Sequence, residues 1–354
     1  LEDLQDAFDF CYKVHYQPGE DRTSDPQYAQ QVQALQAKLQ ILDRQRREVL
    51  AQMQQLLGRS ETLRDFLQQE LRAWQERQQR ACMGAPADTS LRLLETWFTE
   101  LGQGLFQLRQ LLRVLGELRQ KVTYERDPLK EETPLLERRL QELLTYLLKS
   151  AFVVEQQPSM PNACKRPLVL RTTTKFSARA RLLVRLHDRN HGMEARIHID
   201  RFRKFNILTS SSKTLLAGDS PQDGLVCDFQ YLTLREQKDS RSGKGGKGEV
   251  GAGPGGRGGG GCHAVPHGAT TSAQGPLVVT EELHLITFTL AYAYCGLELE
   301  LETSTLPFVI ISNNNQLSSA WASILWFNML NSVSGDPMVS GTPRPRALPP
   351  APAP

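Results

Sequence analysis

Residues 149–186, KSAFVVEQQPSMPNACKRPLVLRTTTKFSARARLLVRL, decide how this chain folds. Before them the apolar residues fall at helical spacing, and after them they alternate among Gly, Pro, Ser and Thr. Pro158, Pro161 and Pro167 cannot occupy a helix interior, because each lacks an N–H and its ring clashes with the preceding turn. A long helix is therefore expected to end near Glu155, its last turn running into Phe152 and Val153. From Phe176 the period is two: Phe176, Ala178, Ala180, Leu182, Val184 and Leu186 alternate with Ser177, Arg179, Arg181 and Arg185, with Leu183 out of step. The chain passes here from an α region to a β region.

Upstream, Leu1, Leu4, Phe8 and Cys11 share a helical face with Phe10 beside it, and Pro18-Gly19 ends the segment. Asp25-Pro26 starts a second helix, the carboxylate capping free N–H groups and proline suiting the first position. Val32, Leu35, Leu39, Leu42, Val49, Met53, Leu56, Leu63, Leu67 and Trp74 then follow 3–4 spacing, interrupted by Arg46 and Ser60. One helix over this span is roughly 80 Å long, a coiled-coil rod rather than a globular helix. Asp88, Thr89 or Ser90 caps a third helix that Asp127-Pro128 ends, and Thr133-Pro134 starts a fourth. Long helices with short connections make an antiparallel four-helix bundle. Their stripes are first of all core, but apolar residues at projecting ends are candidates for partner contacts.

Downstream, the runs 195–199, 226–234, 277–294, 297–301 and 307–311 read as short strands between turn clusters, hence a sandwich or barrel. Ser318 or Ser319 caps a short apolar helix, AWASILWFNML. Charge divides with the period. Residues 1–157 hold 21 Lys/Arg against 24 Asp/Glu, a net −3, whereas 158–332 hold 19 against 14, a net +5. The basic half makes a polyanion a candidate partner.

Chemistry is sparse. Residues 240–276 form a Gly-rich stretch in which Gly251, Gly253 and Gly256 satisfy G-x-G-x-x-G, but Pro254 intrudes and the strand–turn–helix frame of a phosphate cradle is missing. A flexible loop carrying Lys238, Arg241, Lys244, Lys247 and Arg257 is expected instead. Cys262-His263 and His267 lack a fourth ligand and a rigid frame, so no metal or cofactor is expected. The six scattered cysteines form no CxxC and read as free thiols. No nucleophile–base or paired-carboxylate arrangement stands out, so the chain reads as a non-enzyme. There is no signal peptide or membrane-length apolar run. The abrupt start at Leu1 reads as a fragment, and residues 334–354 as a disordered Pro-rich tail.

Several blocks in order resemble the STAT family (signal transducers and activators of transcription) over residues 1–332: LEDLQDAFDFCYK, QQRACMGAP, KSAFVVEQQPSMP followed by RPLVLRT, RKFNIL, YLTLREQ, VTEELHLITF, and LPFVIISNNNQLSSAWASILWFNML. LEDLQDAFDF and NQLSSAWASILWFNML are most like the family's interferon-responsive subunit. The resemblance implies a coiled-coil domain over 1–155, an immunoglobulin-like (p53-like) DNA-binding domain over 156–316 and the start of a helical linker domain over 317–333. It implies signal-dependent transcription in cytokine and interferon signalling, with movement from cytoplasm to nucleus. Implied partners are an interferon response element on DNA, bound weakly alone, another STAT as heterodimer, and an interferon regulatory factor on the coiled-coil domain.

Carried over position by position, Arg179 is implied as a DNA-backbone contact, Arg203 and Lys204 as the basic loop before KFNIL, and Lys238 and Lys244 as the loop after LREQ. Asn313, Asn314 and Gln316 match the loop that approaches base edges. Lys and Arg neutralise phosphates, while amides can read bases through paired donors and acceptors. Leu4, Phe8 and Phe10 are the expected regulatory-factor anchors, the alternative being that they staple the bundle's end. The longer glycine loop and the Pro-rich tail depart from the family pattern. The family would continue into an SH2 domain, without which phosphotyrosine-driven dimerisation is not expected. A competing reading is a coiled-coil adaptor whose β domain binds protein.

Overall fold

A computed structural model describes residues 1–15, 26–121, 124–161, 167–186, 192–200, 205–207, 212–216, 224–236 and 282–331. Arg203, Lys204, Lys238 and Lys244, the 240–276 loop and the 334–354 tail lie outside the described residues. Four helices come first: α1 (Glu2–His15), α2 (Pro26–Cys82), α3 (Arg92–Leu118) and α4 (Pro128–Ala151). At 57 residues, α2 is roughly 85 Å long.

The ridge that α2 buries is Leu42, Arg46, Leu50, Met53, Leu57, Leu67, Leu71 and Trp74. Leu56 and Leu63, expected on that stripe, are instead on the exposed side. Arg46 holds its place in the ridge although fully buried. Its Nη1 lies 2.6 Å from Asp127 Oδ2, Gln5 Oε1 accepts from its Nη2, and its guanidinium sits 5.2 Å from the Tyr124 ring centroid. A buried charge survives only when paired in this way. The interruption in the apolar stripe is thus a polar lock joining α1, α2 and the turn before α4.

That lock corrects the expected helix boundaries. Asp127 does not end α3; its Oδ1 accepts from the Leu129 N–H at 3.0 Å and caps α4, with Pro128 at the first position. Thr133-Pro134 therefore lies inside α4. At the start of α3 the N-cap residue is Leu91, without a side-chain cap, while Asp88 accepts from the Ser90 N–H. α4 also stops at Ala151 rather than running on through Phe152 and Val153, because those residues begin a strand.

Twelve strands follow among the described residues: β1 (Phe152–Ser159), β2 (Val169–Arg171), β3 (Phe176–Leu182), β4 (Gly192–Ile199), β5 (Phe205–Ile207), β6 (Ser212–Leu216), β7 (Leu225–Leu232), β8 (Leu234–Glu236), β9 (Leu283–His284), β10 (Ile286–Tyr294), β11 (Leu297–Ser304) and β12 (Phe308–Ile311). They pair as β1-β3-β7, β11-β10-β4-β6, β2-β12-β9 and β5-β8. The first two sheets face each other across a core in which Phe229 of β7 meets Phe288 of β10 at 5.8 Å. Pro158 fits in β1 because the pairing with β3 is irregular between Gln156 and Ser159. β12 pairs parallel to β2 and antiparallel to β9. A 3-10 turn (Asn314–Gln316) then leads into α5 (Leu317–Asn331). Among the described residues no helix is long and apolar enough to cross a membrane.

Bundle and β domain share one continuous core and a polar seam. Gln78 of α2 donates to the carbonyls of Val154 and Glu155, and its Oε1 accepts from Gln157. Arg109 of α3 donates to the Cys295 and Gly296 carbonyls. Phe106 meets Tyr294 edge-on at 4.8 Å. Gly102 is required where α3 touches Val184, since a Cβ there would lie 2.9 Å from a valine methyl.

Candidate nucleic-acid interface

β3 lies between β1 and β7 with Phe176, Ala178, Ala180 and Leu182 buried, so Ser177, Arg179 and Arg181 share its other face. The two arginines meet different surroundings. Arg181, at the end of β3 next to the bundle, is 12% exposed and pairs with Glu95 of α3 at 3.3 Å and Glu155 of β1 at 2.9 Å. Gly224 closes over this triad with φ +72°, and a Cβ on it would come within 2.3 Å of Glu95 and 2.4 Å of Arg181. Burial pushes the Glu95 carboxyl above its ordinary value, against the pull of Arg181 and Arg185. Arg181 thus belongs to the joint. Arg179, one pleat away, is half-buried and donates from Nη2 to Asp228 Oδ2 at 3.0 Å, an oxygen that also accepts from Gln230.

The opposite end of β3 starts at a turn. The Thr174 N–H bonds back to Arg171 O, while the N–H groups of Thr172 and Thr173 reach Ile311 O and Leu234 O. The turn is thereby fixed beside the end of β12, where Ser312 and Asn313 begin the amide loop. Asn313, Asn314 and Asn315 are exposed, and Arg171 Nη1 donates to Asn314 Oδ1 at 3.4 Å. Gln316 turns inward. Its Oε1 accepts from Ser312 N–H, Ser312 Oγ and Asn313 N–H, and Asn313 Oδ1 accepts from Asn315 N–H. Together they form a capping box that sets the turn before α5. The expected base-reading amides therefore divide: Asn313 and Asn314 stand outward, whereas the Gln316 carbonyl oxygen is committed to holding them.

Sequence reading passed over Arg171, Lys175 and Tyr231. Arg171 lies within RPLVLRT, where nothing local gives it a role, and only the parallel pairing of β2 with β12 brings it to Asn314. Lys175 and Tyr231 are neighbours because β3 pairs with β7.

At the rod's free end, Phe8 is 3% exposed and belongs to the core, which corrects its assignment as an exposed anchor. It staples α1 to the bundle. Leu4 is half-buried. Phe10 is 67% exposed, with exposed Val14 one turn on; Ile41 is also exposed, one turn from Lys38, which reaches Cys11 of α1. Among the described residues no His/Cys/Asp/Glu group could hold a metal ion, and Cys82 and Cys227 are buried free thiols that burial pushes up to about 11 and about 12.

A long helical rod is sealed onto a β sandwich, with Arg171, Lys175 and the exposed Asn313 and Asn314 by the end of β3 opposite Arg181, so the class the fold defines is a coiled-coil region joined to a β domain. The model of the STAT transcription factor coiled-coil domain matches residues 1–144, and that of the STAT protein DNA binding domain matches 156–311. The chain belongs to the STAT family. It is 36% identical over 355 residues to human signal transducer and activator of transcription 4, covering 98% of this chain and 44% of that protein. The mouse protein is 37% identical over 337 residues, covering 93% and 41%. The chain thus spans less than half the length of these curated relatives. A crystal structure of STAT2 in complex with IRF9 matches 42% of this chain and 84% of its own at 38% identity, with a TM-score of 0.38. STAT transcription factors act in the nucleus and are not enzymes.

Proposed function

We propose that this chain grips DNA through the edge where β2, β3 and β12 begin or end, within signal-dependent transcription driven by cytokines and interferon. The observation that carries the reading is the contact of Arg171 with Asn314, which joins a cation to exposed amides on one edge. Arg179, Arg203, Lys204, Lys238 and Lys244 supply phosphate contacts in this reading, and Asn313 and Asn314 face the bases. Gln316 acts through them by holding their loop. The blocks resembling the family's interferon-responsive subunit support a partnership with another STAT and with an interferon regulatory factor, the latter on the α1 end through Phe10 beside Leu4. The protein then moves between cytoplasm and nucleus.

The test is binding to an interferon-response-element duplex across a salt series, with the STAT and regulatory-factor partners added. Affinity is expected to fall steeply with salt and to weaken with Arg203→Ala. A duplex left unbound with both partners present sinks the DNA role and leaves the adaptor reading. For the rod, Phe10→Ala should abolish capture of the regulatory factor's association domain without lowering thermal stability, since the ring is already in water.

A further inference from the structure

The structure assigns a second DNA-backbone grip beside the amide loop: Lys175 and Tyr231, acting together on a phosphodiester. This rests on the DNA reading above and adds to it a site in which an aromatic ring supports the cation. The Lys175 ammonium lies 5.3 Å from the Tyr231 ring centroid. Lys175 is exposed, and Tyr231 is 62% exposed, unusual for so large a ring in a strand.

The backbone is bent to place them. β3 and β7 pair Phe176 with Leu232 and Ala178 with Phe229, so one extra residue of β7 must bulge between those pairs. Tyr231 takes the bulge with φ +61°, and Thr173, two residues before Lys175, has φ +63°. Left-handed backbone is disfavoured for an aromatic and more so for a β-branched residue. Bulges re-aim side chains, and strained backbone gathers at functional sites. Here both strained residues flank one lysine, four residues along the turn from Arg171.

The local charges leave Lys175 available. Asp228, the acid on β7 nearest in sequence to Tyr231, is engaged by Arg179 and Gln230, and among the described residues Lys175 has no carboxylate partner. An ammonium has three N–H donors, so one turned to a ring face leaves others for a phosphate, and a tyrosine hydroxyl can itself donate a hydrogen bond to a phosphate oxygen. Ammonium and phenol together present two donors to one backbone segment, carry no base preference, and extend the Arg171–Asn314 edge along the duplex.

The experiment measures anisotropy of labelled duplexes, one carrying the response element and one scrambled, with the whole chain over a salt series. Lys175→Ala is expected to weaken both duplexes equally and to flatten the slope of log K against log salt by about 0.9, the value for one phosphate contact. Tyr231→Gly is the sharper variant, because glycine adopts left-handed backbone freely. It is expected to hold or raise the thermal midpoint while weakening both duplexes by about 2–5-fold. A lower midpoint for Tyr231→Gly would show the ring serves packing and overturns the proposal. So does unchanged affinity in both variants when Arg171→Ala weakens binding, an outcome that leaves the DNA edge itself standing. If Arg171→Ala and Arg179→Ala also change nothing, the DNA reading falls and this grip with it.

Discussion

Arg181 and Arg179 lie on one face of one strand, two residues apart, and do different work. Around Arg181 two carboxylates, a left-handed glycine and the flank of α3 exclude water. Around Arg179 one carboxylate takes a single N–H, Nε is buried without a hydrogen-bond partner, and the side chain as a whole is still 36% exposed. The joint uses charge to fix geometry; the edge keeps charge available. A surface ion pair is worth little, whereas removing one partner of a buried pair leaves an uncompensated ion.

That contrast can be broken from the joint first. Arg181→Met strands Glu95 and Glu155 and should cost about 3–5 kcal/mol, read as a lower denaturation midpoint. Gly224→Ala should cost about 3 kcal/mol, because its Cβ must displace both Glu95 and Arg181 while holding a positive φ. Next comes the amide loop. Asn313→Ala removes a cap worth about 1 kcal/mol of stability and, in DNA binding, discrimination of about 1–3 kcal/mol at one base pair.

Glu95 gives a finer test. Its folded pKa lies above the ordinary 4.5 because of burial, so the ionised form costs stability above the folded pKa, and that cost vanishes as pH falls below 4.5. Glu95→Gln should therefore raise neutral-pH stability and abolish the gain that Glu95 protonation gives the parent as pH falls toward 4.5, read as denaturation midpoints across pH. A loss of several kcal/mol instead would mean the triad needs both charges. Smallest in stability is Arg179→Gln, expected within about 0.5 kcal/mol of the parent. Its signature belongs in the salt slope of DNA binding, shallower by about 0.9.

Which parts of this were legible beforehand follows from the range of the interactions. The rod, the switch of period near Phe176 and the strands at 297–301 and 307–311 are local patterns, and they fold as read. Arg46 was visible as a gap in the stripe, but Asp127, its partner, is 81 residues away and looked like a helix stop. Asp127-Pro128 is the same start signal as Asp25-Pro26, and the Thr133-Pro134 signal that follows it drew the boundary too late. Arg181 passed for a solvated strand residue, since nothing in its neighbourhood of sequence announces Glu95. Phe8 and Phe10 look alike in sequence, and only the packing of α1 separates staple from exposed anchor. A left-handed Tyr231 has no sequence signal at all, because nothing about tyrosine asks for a bulge.

The parallel pairing of β2 with β12 joins residues that are 140 apart, Val169 with Val309. Such a ladder forms late, since its loop-closure entropy must be met before its hydrogen bonds form. During synthesis the rod and the first two strands emerge well before Phe308, and domains generally fold from the N-terminus. The edge carrying Arg171 and Asn314 therefore cannot form before residues 308–314 have emerged, long after the rod. A nascent chain thus carries a finished helical rod while the surface formed by Arg171 and Asn314 does not yet exist.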